Sequence, residues 1–256
     1  MIEGIIVSNT GLNASQSLLD TAGNNLANIN TDGFKANRVL FQDLFYVTLQ
    51  APAAIAPAGT QLGLGVRLSS TDKLFTEGTL INTGRSLDVA IVGNGFFQVT
   101  LPGGSTAYTR NGSFQIDPTG RLVTTDGFLV QPPIIVPTNF TAISFAPNGV
   151  VSVTTPSSIV FQPVGQLTLT LFANPPGLIG QGSNLFLASG ASGRPVTAIP
   201  GQGGAGTLQQ GFLEGSNVNP ATELTNLLIA QQTFVANSQV IVAASEMLSD
   251  TVGLIP

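Results

Sequence analysis

Two seven-residue repeats, one near each end of the chain, constrain its fold more than any other feature. Ile5, Leu12, Leu19 and Leu26 recur at intervals of seven, as do Leu227, Phe234, Ile241, Leu248 and Ile255. Apolar residues at that spacing lie along one stripe of an α-helix. In the first repeat Ser8, Ser15, Ala22 and Ile29 fill the intermediate positions. Gly4, Gly11 and Gly23 interrupt it, each costing about 1 kcal/mol of helix propensity relative to Ala. Asn30-Thr31-Asp32-Gly33 is the expected stop, with Gly33 able to take a left-handed conformation. The second repeat opens on Asn219-Pro220, an N-cap followed by proline at the first helical position. Glu223 then lies near the positive end of the helix dipole, and Leu228, Val235 and Val242 widen the stripe. Gly253 is its expected end, which gives about 33 residues and roughly 50 Å.

Between the repeats the pattern changes to strands and turns. Over residues 71–211, short β-rich runs are separated by Gly93-Asn94-Gly95, Pro102-Gly103-Gly104, Asn111-Gly112, Pro118-Thr119-Gly120, Asp126-Gly127 and Asn148-Gly149. Asn111-Gly112 carries a strong hairpin signal between Ala107–Arg110 and Ser113–Asp117. No helical crossover intervenes, so the sheet is expected to be mostly antiparallel. Residues 47–65, with Ala51-Pro52-Ala53-Ala54-Ile55-Ala56-Pro57-Ala58-Gly59, read as a loop, either a tether or an interaction segment; residues 189–207 read as a Gly-rich loop.

The predicted class is α+β. Long N- and C-terminal helices pair as a coiled-coil-like inner layer, with a central, mostly antiparallel, all-β domain. The expected boundaries are 1–33 and 219–256 for the helical part, 34–70 and 212–218 for a connecting segment with an extended loop, and 71–211 for the β domain. A lone pair of such helices buries few large side chains against the entropy of ordering them. Their stripes are therefore expected to gain stability by packing against other copies of the chain.

Composition excludes much chemistry. The chain has no Cys and no His, which removes thiolate and imidazole zinc sites, a Ser-His-Asp triad and a cysteine nucleophile. Only 8% of residues are charged, against roughly 25% in ordinary soluble domains. A net charge of −5 with eight scattered basic residues offers no phosphate-binding patch, so no nucleic-acid partner is expected. No unbroken apolar run reaches the ~18 residues of a membrane span. Met1-Ile2-Glu3-Gly4 lacks a basic n-region, which predicts no Sec-type signal.

The remaining chemical motifs have local explanations. Gly201-Gln202-Gly203-Gly204-Ala205-Gly206 fits a dinucleotide fingerprint in letters only, since no βαβ unit surrounds it. Asp117 and Asp126, the nearest candidates for a glycosidase pair, sit in Asp-Pro and Asp-Gly turns. Glu214 and Glu223 flank the start of the second helix, where capping or solvation accounts for them. Asn24, Asn25, Asn28 and Asn30 either cap the first helix or set register at a subunit contact. No catalytic, cofactor or metal residue is expected. A secreted β-rich adhesin is an alternative reading, but it has no need of heptad repeats at both ends.

Four ordered blocks carry a family resemblance. Asn24-Asn25-Leu26-Ala27-Asn28 with Thr31-Asp32-Gly33-Phe34-Lys35 closely resembles the N-terminal signature of bacterial flagellar rod and hook proteins. Ile91-Val92-Gly93-Asn94-Gly95-Phe96-Phe97-Gln98-Val99 and Tyr108-Thr109-Arg110-Asn111-Gly112-Ser113-Phe114 resemble its central motifs. Gly215-Ser216-Asn217-Val218-Asn219 resembles the C-terminal signature. Length places the chain nearest the distal-rod members. There a stiffening loop follows the first helix, at Tyr46, Pro52, Pro57 and Gly59 here, in a segment shorter than expected.

The resemblance implies a structural subunit of a hollow helical shaft that transmits torque from motor to hook and passes exported proteins. Ile5, Leu12, Leu19, Leu26, Leu227, Phe234, Ile241 and Leu248 would pack the inner tube. The implied partners are further copies, other rod proteins, hook or hook-junction proteins, and the surrounding ring (bushing) proteins. The implied location is the flagellar basal body, as a rod crossing the periplasm. The chain would not be membrane-embedded, and would be exported by the flagellar type III system without a cleaved signal. A hook or proximal-rod subunit is the alternative within the family.

Overall fold

The computed structural model describes residues 2–50, 59–156 and 158–253. Expectations that fall on Pro52, Pro57 and Ile255 lie outside these residues. The chain divides into two compact units: Met1–Ala27, Asn37–Leu74 and Val218–Pro256 form one, and Asn28–Ala36 with Phe75–Asn217 form the other.

In the first unit, α1 (Ile2–Ala27) and α2 (Pro220–Gly253) pack side by side. Asn219 caps α2 as its type predicts: its Oδ1 accepts from the Ala221 N–H at 3.0 Å. The register of the pair is antiparallel. Asn25 meets Glu223, Ser15 meets Thr233 with hydroxyls 3.0 Å apart, and Gly11 lies against Asn237. A Cβ on Gly11 would come within 2.6 Å of the Asn237 Nδ2, so this glycine permits the close approach. Apart from Asn25, the buried positions are small ones, Ser8, Ser15 and Ala22 on α1 and Ala230 and Ala244 on α2. The large heptad residues Ile5, Leu12, Leu19, Leu26, Leu227, Ile241 and Leu248 are only half-buried. Small side chains bring the backbones together and leave part of each large side chain in solvent.

Four strands complete this unit: β1 (Asn37–Asp43), β2 (Tyr46–Gln50), β3 (Thr60–Gly63) and β4 (Val66–Lys73). β1 pairs antiparallel with β4 through a bulge at Leu40/Phe41, and β2 pairs antiparallel with β3. The expectation of a loop over 47–65 is corrected at its described flanks, 47–50 and 60–63, which form strands. Tyr46 faces Gly63 and Val47 faces Leu62 across a ladder. The β-branched and aromatic run Tyr46-Val47-Thr48-Leu49 carried that signal, and the adjoining Ala/Pro composition obscured it. Thr10 ties α1 to β4: its hydroxyl donates to the Val7 carbonyl and accepts from the Val66 N–H at 3.1 Å.

The second unit is built of antiparallel strands. Its largest sheet has seven, in the order Ile179–Gly182, Leu185–Leu187, Thr106–Thr109, Phe97–Thr100, Leu129–Gln131, Leu122–Thr124, Phe114–Ile116. A three-stranded sheet, Ala142–Phe145, Val150–Thr155 and Ser158–Gln166, packs on the same core. Phe97, Val99, Phe114, Leu122, Val130, Val151, Leu167 and Leu169 fill that core with almost no exposure. Alternation along Phe97–Thr100 is strict: Phe97 and Val99 are buried, Gln98 and Thr100 only half-buried.

Four of the predicted turns join antiparallel strand pairs, at Gly104, Gly120, Gly127 and Gly149, each glycine in the left-handed region. Asn111-Gly112 does not join such a pair. Thr106–Thr109 and Phe114–Ile116 lie at different places in the sheet, and Gly112 has no positive φ. Asn111 instead closes a local turn, its Oδ1 accepting from the Ser113 N–H at 3.0 Å. Gly112 is needed for proximity: its carbonyl accepts from the Val89 N–H at 3.0 Å, and a Cβ there would collide with the Val89 carbonyl. Gly112→Ala is therefore expected to destabilise this unit by about 2–3 kcal/mol, as overpacking against backbone does. A denaturant midpoint equal to the parent's would contradict this.

Candidate functional site

Two polar clusters organise the residues of the recognised blocks. The first lies inside the second unit and centres on Glu214, whose side chain is fully buried. Its Oε1 takes the Lys35 ammonium at 2.6 Å and the Gly78 N–H at 2.9 Å, and its Oε2 takes the Arg110 Nε at 2.7 Å. Lys35 also donates to the Thr76 carbonyl at 2.6 Å, and Arg110 Nη1 to the Gly93 and Gly95 carbonyls at 2.8 Å each. The Gly33 N–H donates to the Glu214 carbonyl at 2.6 Å. Burial opposes ionisation of Glu214, but the Arg110 hydrogen bond and charge, together with Lys35, hold its carboxyl below the usual range. Burial pulls the Lys35 ammonium down, against the opposing pull of Glu214. The expectation that Glu214 is a capping or solvated residue is thus corrected: it is the hub of a buried ion triad.

The second cluster belongs to the first unit. Asn25 is buried; its Oδ1 accepts from the Asn37 N–H at 2.9 Å, and its Nδ2 donates to the Asn37 carbonyl and to Glu223 Oε1. One amide thus joins the end of α1, the start of β1 and the first turn of α2. Glu223 is accordingly an anchor for α1 as well as a favourable charge at its own helix start. Neighbouring Asn24 is exposed and accepts weakly from the Asn37 amide at 3.4 Å.

The other recognised residues have structural places. Leu26 is half-buried on α1, and Asn28 accepts from the Thr31 hydroxyl at 3.2 Å. Gly33 takes φ 71°, as expected, and a Cβ there would press on the Asn111 backbone. Phe34, Phe96 and Phe97 are buried. Gly95 takes φ 136° against Leu169. Ser216 is half-buried. Asn217 accepts from the Ala36 N–H at 2.8 Å and donates to the Thr76 hydroxyl at 2.9 Å. Tyr46 is exposed and Gly59 half-exposed.

Of the described heptad residues, Phe234 is the most exposed. Beside it runs a second stripe on α2 that α1 leaves uncovered: Leu224, Leu228, Val235 and Val242 are each at least half exposed. Pro220–Thr251 also has the length and composition of a membrane span, with little of it buried. Counting unbroken apolar runs missed this, because polar residues divide the run without lowering its mean enough.

Among the described residues no three His, Cys, Asp or Glu gather as metal ligands do. Gly201, Gly203 and Gly204 are positive-φ loop glycines, in keeping with the rejected dinucleotide reading. Asp117 is a turn residue, as expected. Its Oδ1 accepts from the Thr119 hydroxyl and from the Thr119 and Arg121 N–H groups, which with the Arg121 side chain hold its carboxyl well below the usual range.

Comparison with known proteins matches these features block by block. The Flagella basal body rod protein family covers residues 5–35, the Flagellar hook protein FlgE/F/G D1 domain residues 90–153, and the Flagellar basal body rod FlgEFG protein C-terminal family residues 209–254. The flagellar basal-body rod protein FlgG of Buchnera aphidicola subsp. Baizongia pistaciae is 46% identical over 254 residues, covering 97% of this chain and 98% of the relative. That of Agrobacterium fabrum is 42% identical, covering 97% of each. The flagellar hook protein FlgE of Salmonella typhimurium is 25% identical over an alignment of 407 residues, covering 96% of this chain. With full-length identity of this order to proteins of that name, the chain belongs to the flagellar rod and hook protein family, on its FlgG rod branch, and is a structural subunit of the flagellar rod.

Proposed function

We propose that this rod subunit polymerises into a hollow helical shaft that carries torque from motor to hook and lets later export substrates through its lumen. The observation that carries the reading is the uncovered apolar stripe of α2. In a chain this poor in charge, four large side chains in one exposed row call for a partner surface. Copies related head to tail by a non-closing operation cover such a stripe and generate a filament.

In this arrangement α1 and α2 pair coiled-coil-like as the inner layer, and the β unit forms the outer wall. Ile5, Leu12, Leu19, Leu26, Leu227, Phe234, Ile241 and Leu248 contribute their exposed faces to the inner tube. The β2–β3 hairpin, with Tyr46, and the segment through Pro52, Pro57 and Gly59 supply the stiffening element. The ends of the shaft meet other rod proteins and the hook or its junction proteins, and ring proteins surround it as a bushing where it crosses the periplasm. The cover for α2 is protein rather than lipid, because Gln231, Gln232, Asn237 and Gln239 fall in the middle of the helix, where a bilayer offers no hydrogen-bond partners. The absence of Cys suits export in an unfolded state through the type III channel, with the helices ordering on assembly.

The test is direct assembly. Purified chain is concentrated, then examined by sedimentation and negative-stain microscopy. Hollow filaments of uniform diameter are expected. A chain that stays monomeric at every concentration, with both ends resistant to protease, would replace this reading by a self-contained domain.

A further inference from the structure

The second unit carries a cavity of about 350 Å³ that no feature of its own core fills. Its lining is about half polar and half apolar: Phe75, Phe96 and Phe172 form the apolar part with Leu171 and Pro175, and the rings meet edge to face, Phe75 to Phe96 at 5.4 Å and Phe96 to Phe172 at 5.7 Å. Asn94, exposed, stands among the lining residues. Arg110 also lines it, with a side chain only 5% exposed. Nε is committed to Glu214 and Nη1 to two carbonyls, while Nη2 has no acceptor among the described residues. The triad holds two cations against one buried carboxylate, and the exposed Glu77, whose Oε1 accepts from the Gly93 N–H at 3.3 Å, offsets only part of the remaining positive charge. A guanidinium with donors open toward a cleft edged by aromatic rings suits a carboxylate that arrives with a large apolar side chain.

One described segment of this chain has that pairing at its surface. Phe45, between β1 and β2, is 88% exposed, the most exposed large apolar side chain among the described residues. Asp43, two positions before it, is exposed and makes no ion pair among the described residues. Asp43 ends β1 and Phe45 follows two positions later in the connection to β2, within about 7 Å along the chain, so both side chains can reach one site. A benzyl side chain fits within 350 Å³, and the carboxylate complements the remaining positive charge.

We infer that Phe45 of one copy inserts into the cavity of a second copy, with Asp43 directed to Arg110 Nη2. The partner is thus another copy of this chain, which rests on the polymer proposed above, and the contact supplies a specific lock beyond the helical stripe. The probe is a fluorescently labelled peptide of residues 41–50, titrated by anisotropy into full-length chain that sedimentation shows to be unpolymerised. Saturable binding is expected. Phe45→Ala in the peptide should weaken it at least about tenfold, and Asp43→Asn about fivefold. Asn94→Trp in the full chain, at an exposed position outside the triad and the core, should fill the mouth and weaken binding at least about tenfold while the melting temperature stays unchanged. Absence of saturable binding, equal affinity for the Phe45→Ala peptide, or full affinity in the Asn94→Trp chain would each overturn the inference. The peptide needs no filament. Filaments without peptide binding reject the lock alone, and peptide binding without filaments rejects the shaft while leaving the cavity's chemistry in place.

Discussion

Glu214→Leu is expected to cost the second unit about 3–5 kcal/mol, because it leaves two buried cations facing each other with no anion between them. That is a large share of the ~5–15 kcal/mol that holds a typical domain folded. Lys35 and Arg110 have side-chain exposures of only 1% and 5%, so water cannot replace the lost carboxylate without opening the core. The Gly78 N–H loses its acceptor as well. Urea denaturation at neutral pH measures the loss, and a change below about 1 kcal/mol would mean that the triad is solvated in solution.

The same group sets a pH dependence. The folded carboxyl of Glu214 titrates below its ordinary value of 4.5. A depressed acid contributes stability that is complete above the unfolded value and is lost as pH falls from there through the folded value. Acid titration of the parent should therefore show a stability loss beginning near pH 4.5 and deepening below it, and Glu214→Leu should flatten that limb.

The triad also marks where sequence reasoning stops. Each helix was legible from short-range chemistry: heptad spacing, the Asn219-Pro220 cap and Gly33 with its positive φ all act within a few residues. The turns at Gly120, Gly127 and Gly149 were legible for the same reason. Lys35, Arg110 and Glu214 come from three distant places in the chain, and nothing local distinguishes a buried glutamate from a capping one. The only hint was context, since Phe34-Lys35-Ala36 and Leu213-Glu214-Gly215 set single charges among apolar neighbours. Asn111-Gly112 misled for a related reason. Glycine serves both left-handed turns and close backbone approaches, and only the tertiary position of Val89 decides between them.

The heptads were legible as helices, but their burial was not. Seven-residue spacing marks a stripe without saying which molecule covers it, and on α2 the small Ala230 and Ala244 face inward while Leu228, Val235 and Val242 face out. The assembly argument therefore turns on a comparison of adjacent residues. Val242 is 54% exposed in the single chain, so Val242→Asp meets solvent there and should change monomer stability by less than about 0.5 kcal/mol. If the stripe is the contact between copies, the same carboxylate becomes buried on assembly without a partner, at a cost of several kcal/mol per contact. Polymerised material should then fall at least about tenfold at a concentration where the parent assembles fully. Ile241→Asp, one position away and half-buried, should damage both properties: it loosens α2 within the chain and abolishes polymerisation, while the β unit stays folded. Helix content by circular dichroism separates the two variants, and pelleting measures assembly. Parent-like filaments from Val242→Asp would move the subunit contact off this stripe, and parent-like filaments from Ile241→Asp would remove the heptad face from the inner tube.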